Sequence, residues 1–267
     1  MKLRYAALTD AGRVREINED GYLATGRVFA VADGMGGHQA GEIASTIALK
    51  SLEKSLKELP SRMNMQKRIK TSIHRANLAI MEEAGEPGRS GMGTTLTVVV
   101  PTRNRIHIGH VGDSRAYLFR DGKLQRLTED HSLVAQMVRD GRLNPSEAEI
   151  HPLRSVLTRA LGTPSVEIDL FSTESRLKDK ILLCTDGLTS MLKEKEIGEI
   201  LSENLNPQTL CQKLVEAAND RGGIDNVTVI LIEISGIPKR SKRRILTALK
   251  LIKMSGRRGI WSRKRFT

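Results

Sequence analysis

Cysteine is scarce in this 267-residue chain: Cys184 and Cys211 are its only two. Two thiols argue against a disulfide framework and fit a reducing cytoplasm, and Cys184, closing the apolar run Ile181-Leu182-Leu183, reads as a core thiol. Aromatic residues make up 3% of the chain, with one Trp, which makes base stacking on nucleic acid a weak case. No apolar run approaches the ~20 residues a membrane helix needs, and Met1 to Asp10 lacks the apolar core of a secretory signal. Familiar catalytic motifs are missing too. There is no G-x-x-x-x-G-K-[ST] phosphate loop, no G-x-S-x-G elbow and no H-E-x-x-H. Gly34-Met35-Gly36-Gly37 and Gly91-Met92-Gly93 do not complete G-x-G-x-x-G, because Gln39 and Leu96 occupy the final positions. The six histidines are scattered singly.

Acidic residues are absent from one stretch. Residues 236–267 hold twelve of the 43 Lys and Arg and none of the 31 Asp and Glu. The net charge of +12 therefore belongs to this tail, and residues 1–235 balance to zero. That asymmetry sets a boundary near Gly236-Ile237-Pro238. Arg243–Met254 spells a short basic amphipathic helix, followed by Trp261 and Arg263-Lys264-Arg265-Phe266. Such a tail is a solvated extension, an attachment to an anionic membrane surface, or a phosphate-binding arm for nucleic acid or the ribosome.

What remains, residues 1–235, has the composition of a globular domain large enough to bury its core without disulfides. Strands are expected at Leu3–Leu8, Val28–Ala32, Thr94–Val100, Arg105–His110, Arg115–Arg120, Lys123–Leu127, Val166–Ser172, Lys180–Cys184 and Val227–Ile234. Asp121-Gly122 reads as a hairpin turn. Three-to-four spacing of apolar residues predicts helices at Gly41–Leu59, Asn64–Ala84, Lys193–Leu201 and Pro207–Asn219. Ser132–Ala160 is polar, mainly helical in pattern and broken by two prolines, as an inserted flap would be. Strands in runs and helices in pairs indicate an α+β body with mainly antiparallel sheets covered by helices.

The strongest chemical signal is a set of acidic residues at the ends of apolar runs, several beside glycine. Phe29-Ala30-Val31-Ala32 leads into Asp33-Gly34, His110-Val111-Gly112 into Asp113, and Leu182-Leu183-Cys184-Thr185 into Asp186-Gly187. Asp225-Asn226 opens the last strand, and Asn18-Glu19-Asp20 adds a further cluster. One such Asp is usually a turn or a helix cap. Several converging carboxylates would repel each other unless a cation sits among them. All-oxygen ligands point to Mg²⁺ or Mn²⁺ rather than zinc. Spacing alone leaves the structural and the metal readings both open.

Taken in order, these motifs resemble the type 2C family of metal-dependent protein phosphatases, in its compact bacterial branch. The matches are Thr9-Asp10-Ala11-Gly12 with Arg15 and Asn18-Glu19-Asp20; Val31 to His38 with Gly41-Glu42; Gly91 to Thr95; Gly109 to Arg115; Leu127 to Ser132; Leu183 to Gly187; and Gly223 to Thr228. They cover about Leu3 to Ile234. The resemblance implies a sandwich of two antiparallel sheets flanked by helix pairs, with residues 132–160 as the flap. It implies hydrolysis of phosphoserine and phosphothreonine in proteins by metal-activated water, opposing a bacterial Ser/Thr kinase.

By position, the resemblance makes Asp33 the bridge between two Mn²⁺ or Mg²⁺ ions, with the Gly34 carbonyl, Asp186 and Asp225 as further ligands. Glu19 would act through a metal-held water and Asp20 would orient the attacking water. Arg15 would grip the substrate phosphate, and Asp113 would complete a third, weaker site with Asp186. The family's eukaryotic members often carry His after the Asp-Gly pair; here that residue is Met35, so the resemblance assigns no leaving-group acid. The alternative is a catalytically silent relative that binds phosphoproteins. The expected molecule is a cytoplasmic monomer, peripheral at the inner membrane face if its tail binds lipid.

Overall fold

The computed structural model describes residues 1–36 and 40–236. The tail helix expected at 243–254, and His38, lie outside the described residues. Two antiparallel sheets form the centre. The first orders its strands β1 (Lys2–Asp10), β11 (Val227–Gly236), β10 (Lys180–Cys184), β7 (Arg115–Arg120) and β8 (Lys123–Arg126). The second orders β2 (Asp20–Ala24), β3 (Phe29–Met35), β5 (Leu96–Pro101), β6 (Arg105–Val111) and β9 (Asp169–Glu174), with the short β4 (Gly93–Thr94) beside β3.

Alternation along the strands builds the layers. Phe29, Val31, Val99, Ile106 and Ile108 of one sheet meet Ala116, Leu118, Ile181, Leu183, Ile230 and Ile232 of the other in one buried cluster. The intervening residues point outward. Ala30, Ala32, Leu96 and Val98 pack under α1 (Ala40–Glu58) and α2 (Met65–Glu83). Leu182, Cys184, Val229 and Leu231 pack under α6 (Glu194–Ser202) and α7 (Pro207–Asp220). The central strands are buried on both faces, which is why they read as continuous apolar runs. Each fully buried Ile or Leu contributes roughly 1.5–3 kcal/mol.

Local signals fix the ends. Ala44, Ala48, Leu52 and Leu56 recur every four residues on α1 and are buried. Asn64 caps α2 by accepting from the Gln66 N–H at 2.9 Å, and Asn206 caps α7 by accepting from the Thr209 N–H at 3.1 Å. Asp121 and Gly122 take φ of 51° and 75°, the left-handed pair that a two-residue hairpin requires.

Three details differ from expectation. β2 was not anticipated, because Asp20-Gly21 at its start reads as a turn. β9 begins at Asp169 rather than Val166: Val166 and Ile168 pack on the core outside the ladder. Residues 132–160 hold only two short helices, α3 (Leu133–Arg139) and α4 (Pro145–Ala148), and are otherwise turns. This insertion is tied down at its base. Asp130 pairs with Arg115 at 2.7 Å and with Arg126. His131 Nδ1 accepts from the Gly112 N–H at 3.1 Å, and its Nε2–H donates to Asp169 at 3.2 Å. The outer part keeps Ile150 80% exposed.

Candidate active site

The expected site residues come from six places in the chain and meet at one edge of the two sheets. In the β2–β3 register Asp20 stands opposite Asp33. Asp33 lies inside β3 rather than at its end. Its N–H donates to Thr95 Oγ1 at 2.9 Å, and its carbonyl accepts from the Thr94 hydroxyl at 2.8 Å and the Thr95 N–H at 2.9 Å. Asp113 follows β6. Asp186 is the first residue of α5 (Asp186–Thr189), directly after β10. Asp225 precedes β11 and accepts from its neighbour Asn226 N–H at 2.9 Å.

The carboxylates act on one another. Burial holds Asp33 well above the ordinary carboxylate range, and the charges of Asp20, Asp186 and Asp113 add to it. The interaction with Asp186 raises Asp33 further and holds Asp186 lower. Asp186 is itself raised by burial and by Asp225. Burial pushes Asp20 up to about 8, partly offset by the Thr228 and Thr185 hydroxyls. Asp113 is pushed up to about 8 by burial, then by Asp186 and Asp130. All four keep limited solvent contact, as residues on the floor of a cleft do.

Asp20 is held from one side only. Its Oδ2 accepts from the Thr185 hydroxyl at 2.8 Å, whereas Oδ1 is buried with no hydrogen-bond partner. Thr185 Oγ1 in turn accepts from the Thr228 N–H at 3.0 Å. Glu19 is raised by burial and eased by a hydrogen bond from the Gly41 N–H and by the charge of Arg15. The Gly34 N–H donates to the Glu19 carbonyl at 3.2 Å. Gly34 is obligatory for space: a Cβ there would overlap the Gly41 carbonyl oxygen and crowd that of Glu19. Arg15, half-exposed at the rim, donates to Asp225 at 2.9 Å, and that pairing raises its pKa.

Sequence reading assigned no role to the groups that hold this arrangement. Asn226 Oδ1 accepts from the Glu19 N–H at 2.9 Å, while its Nδ2 donates to the Ala11 and Ile17 carbonyls, each at 3.0 Å. Asn18 donates to Thr9 at 2.9 Å, and Thr9 bonds Thr228 at 2.7 Å. Thr95 bonds Ser114 at 2.7 Å. These residues sit inside the same motifs as the carboxylates, which is the signal that could have marked them. Beside Met35 a cleft of about 540 Å³ opens towards Arg159 and Glu167 at the base of the insertion.

The donor set fits hard divalent cations. It is made of oxygens, its mutual repulsion is offset at the rim by Arg15, and one oxygen of Asp20 is buried without a hydrogen-bond partner. Among the described residues no group of three or more Asp, Glu, His or Cys side chains is already arranged to hold a metal ion.

Residues 15–219 match the family described as protein phosphatase 2C. The serine/threonine protein phosphatase PstP of Mycobacterium tuberculosis is 41% identical over 233 residues, which cover 87% of this chain and 45% of PstP. The chain thus spans about half the length of that relative. The serine/threonine phosphatase stp of Listeria monocytogenes is 39% identical over 239 residues, 84% of this chain and 93% of that protein. A crystal structure of the PstP catalytic domain in complex with two manganese ions matches with a TM-score of 0.81 at 39% identity, covering 88% of this chain and 99% of that one. With the sandwich of sheets, the acidic edge and these likenesses in agreement, the chain belongs to the protein phosphatase 2C family.

Proposed function

We propose that this chain hydrolyses phosphoserine and phosphothreonine in proteins, with two Mn²⁺ or Mg²⁺ ions held at its acidic edge. The observation that carries the reading is the convergence of Asp20, Asp33, Asp113 and Asp186, each raised in pKa by the others or by burial, beside the Arg15–Asp225 pair. The names of the PstP and stp relatives, and the manganese ions in the PstP catalytic domain, support it.

In this reading Asp33, Asp186, Asp225 and the Gly34 carbonyl hold the two cations, Glu19 acts through water, and Asp113 with Asp186 forms a weaker third position. Bound divalent cations would lower the pKa of water and offset the charge of a phosphate ester. Asp20 presents its free Oδ1 as the acceptor that orients the attacking water. Arg15 exchanges its hold on Asp225 for the phosphate oxygens, which a guanidinium binds through two donors. Neither cysteine competes as a nucleophile, since both are buried and burial pushes each thiol up to about 12. The phosphoryl group therefore goes to water directly.

A catalytically silent phosphoprotein-binding relative is the other reading, and it is disfavoured because the acidic set and Arg15 are all present and gathered. The test is release of phosphate from a phosphothreonine peptide with Mn²⁺, with Mg²⁺ and in chelator. Turnover only with a cation is expected; cation-independent turnover, or none, overturns the reading.

The natural partners are a Ser/Thr kinase and its substrates. No helix among the described residues is long and apolar enough to cross a membrane. The twelve basic residues of 236–267 would instead hold the protein peripherally to anionic lipid in the cytoplasm, at up to about 1 kcal/mol each. Co-sedimentation with anionic vesicles, full-length against a chain ending at 236, tests this. Equal recovery in the supernatant removes the lipid reading, and retention on RNA alone favours nucleic acid.

A further inference from the structure

The rim around Arg15 carries an exposed apolar surface that none of the roles above uses. Val14 is 65% exposed, and Ile17 and Ile224 are each 43% exposed. Val14 precedes Arg15 and Ile17 follows it by two residues; Ile224 precedes Asp225. The two segments are locked together. The Arg13 N–H donates to the Gly223 carbonyl at 2.7 Å, Asn226 Nδ2 donates to the Ile17 carbonyl at 3.0 Å, and Arg15 reaches Asp225 at 2.9 Å. A Cβ on Gly12 would collide with the Asp225 and Gly223 carbonyls, so the loop cannot lift away without breaking close backbone packing. Three exposed apolar residues thereby lie on backbone segments fixed beside Arg15. Folding gives no return for that exposure, whereas ligand binding would.

We infer that Val14, Ile17 and Ile224 form a docking rim for the residues flanking the phosphorylated side chain, so that the preferred substrates are phosphopeptides with apolar neighbours at the phosphosite. The inference rests on the phosphatase reading and names the substrate class of that site. The loop's own cations suit the anionic phosphate of such a peptide. Arg13 and Arg15 lie two residues apart on the loop, Glu16 is the sole acidic residue of Ala11–Ile17, and the Arg13 guanidinium has no hydrogen-bond or ion-pair partner among the described residues. Continuity identifies its placement. A phosphate on Arg15 brings the side chains before and after the phosphoresidue over the Val14–Ile17 loop and Ile224. A small ester such as p-nitrophenyl phosphate reaches Arg15 and leaves most of the rim uncovered. Binding energy from these remote contacts would appear in peptide turnover and not in turnover of the small ester.

The test uses the full chain with Mn²⁺ and two fluorescein-labelled phosphothreonine peptides, one with Leu and Val beside the phosphothreonine and one with Ser on both sides. Turnover of both peptides and of p-nitrophenyl phosphate is measured for the wild type, Val14→Ser and Ile224→Ser, with fluorescence anisotropy for binding. The wild type should favour the apolar peptide by at least ~5-fold in kcat/KM, equivalent to about 1 kcal/mol. Each Ser variant should lower the ratio of apolar-peptide to p-nitrophenyl phosphate turnover and reduce the preference. Thermal unfolding confirms that the variants fold. Equal kcat/KM for the two peptides in the wild type, or a preference unchanged in both variants, overturns the docking rim. If nothing is hydrolysed, the phosphatase reading fails by itself, and anisotropy still decides the rim: a wild-type preference lost in the variants upholds it, and equal binding overturns it.

Discussion

Asp20 and Asp33 face each other in register across the β2–β3 pair, two carboxylates where a sheet ordinarily places compatible partners. Their repulsion costs stability and serves cation binding. Asp33→Asn should therefore move two measurements in opposite directions. In chelator the variant should melt a few degrees higher, on the scale of about 1 kcal/mol. With Mn²⁺, kcat/KM on a phosphothreonine peptide should fall at least ~100-fold, or about 2.7 kcal/mol of transition-state stabilisation. Near-normal turnover would show that Asp33 is not part of the machinery.

The same cluster fixes the sign of a pH dependence. Asp20 and Asp113 are raised to about 8 in the folded chain, from an ordinary value near 4. The folded state holds these protons more tightly than the unfolded state. Their stabilising contribution is complete below about pH 4 and disappears as pH rises towards 8. The cation-free protein should accordingly melt at lower temperature at pH 8 than at pH 5. Saturating Mn²⁺ should raise the melting temperature more at pH 8, since the cations bind the ionised forms. Unfolding scans at both pH values, with and without Mn²⁺, check this; a cation effect larger at pH 5 would contradict it.

Arg15 is committed to Asp225 at 2.9 Å, with half of its side chain open to solvent. Arg15→Ala removes a charge-assisted contact worth about 1.5–3 kcal/mol to a bound phosphate. KM for a phosphopeptide should rise roughly 10- to 100-fold, with a smaller change in kcat. Inhibition by inorganic phosphate should weaken in parallel. A collapse of kcat at constant KM would place Arg15 in the chemistry instead.

Asn226 is the knot between the two ends of the body. Asn226→Ala leaves the Glu19 N–H and the Ala11 and Ile17 carbonyls without their partner. Loss of stability should reach about 2 kcal/mol, within the ~1–3 kcal/mol for an orphaned buried group because part of this loop can recruit water. Mn²⁺ affinity by calorimetry should also fall, because Glu19 loses its anchor. Asn226→Asp keeps the acceptor and loses both donors, so it should keep part of the stability that Ala loses. Wild-type Mn²⁺ affinity in both variants would confine Asn226 to a structural role.

The apolar runs made the sheets legible, since Phe29–Ala32, Leu96–Val100, Ile181–Cys184 and Val229–Ile232 are buried on both faces and need no alternation to be seen. Asp33, Asp186 and Asp225 were visible because each ends or begins such a run. Asp20 was visible as part of the Asn18-Glu19-Asp20 cluster, but its place in a strand was not, because Asp-Gly at the start of β2 suits a turn. The roles of Asn226, Thr185 and Thr228 were legible only as membership of the same motifs: their side-chain partners lie between 43 and 219 residues away, and no local pattern encodes a contact at that range. The insertion was overestimated as helical because polar residues such as Arg154 and Ser155 also suit solvated turns.

β1 pairs with β11 along nearly its whole length, joining the first strand of the described residues to the last. Arg15 and Glu19 sit just beyond one of these strands, and Asp225 and Asn226 just before the other. During synthesis, then, every other strand can be made while the acidic edge still lacks its closing half. A chain that stops before Val227 cannot complete the first sheet, and the β1–β11 pairing that sets Asp225 beside Arg15 is missing. Closure of the acidic edge therefore waits on a long-range pairing that is slow by the measure of contact order.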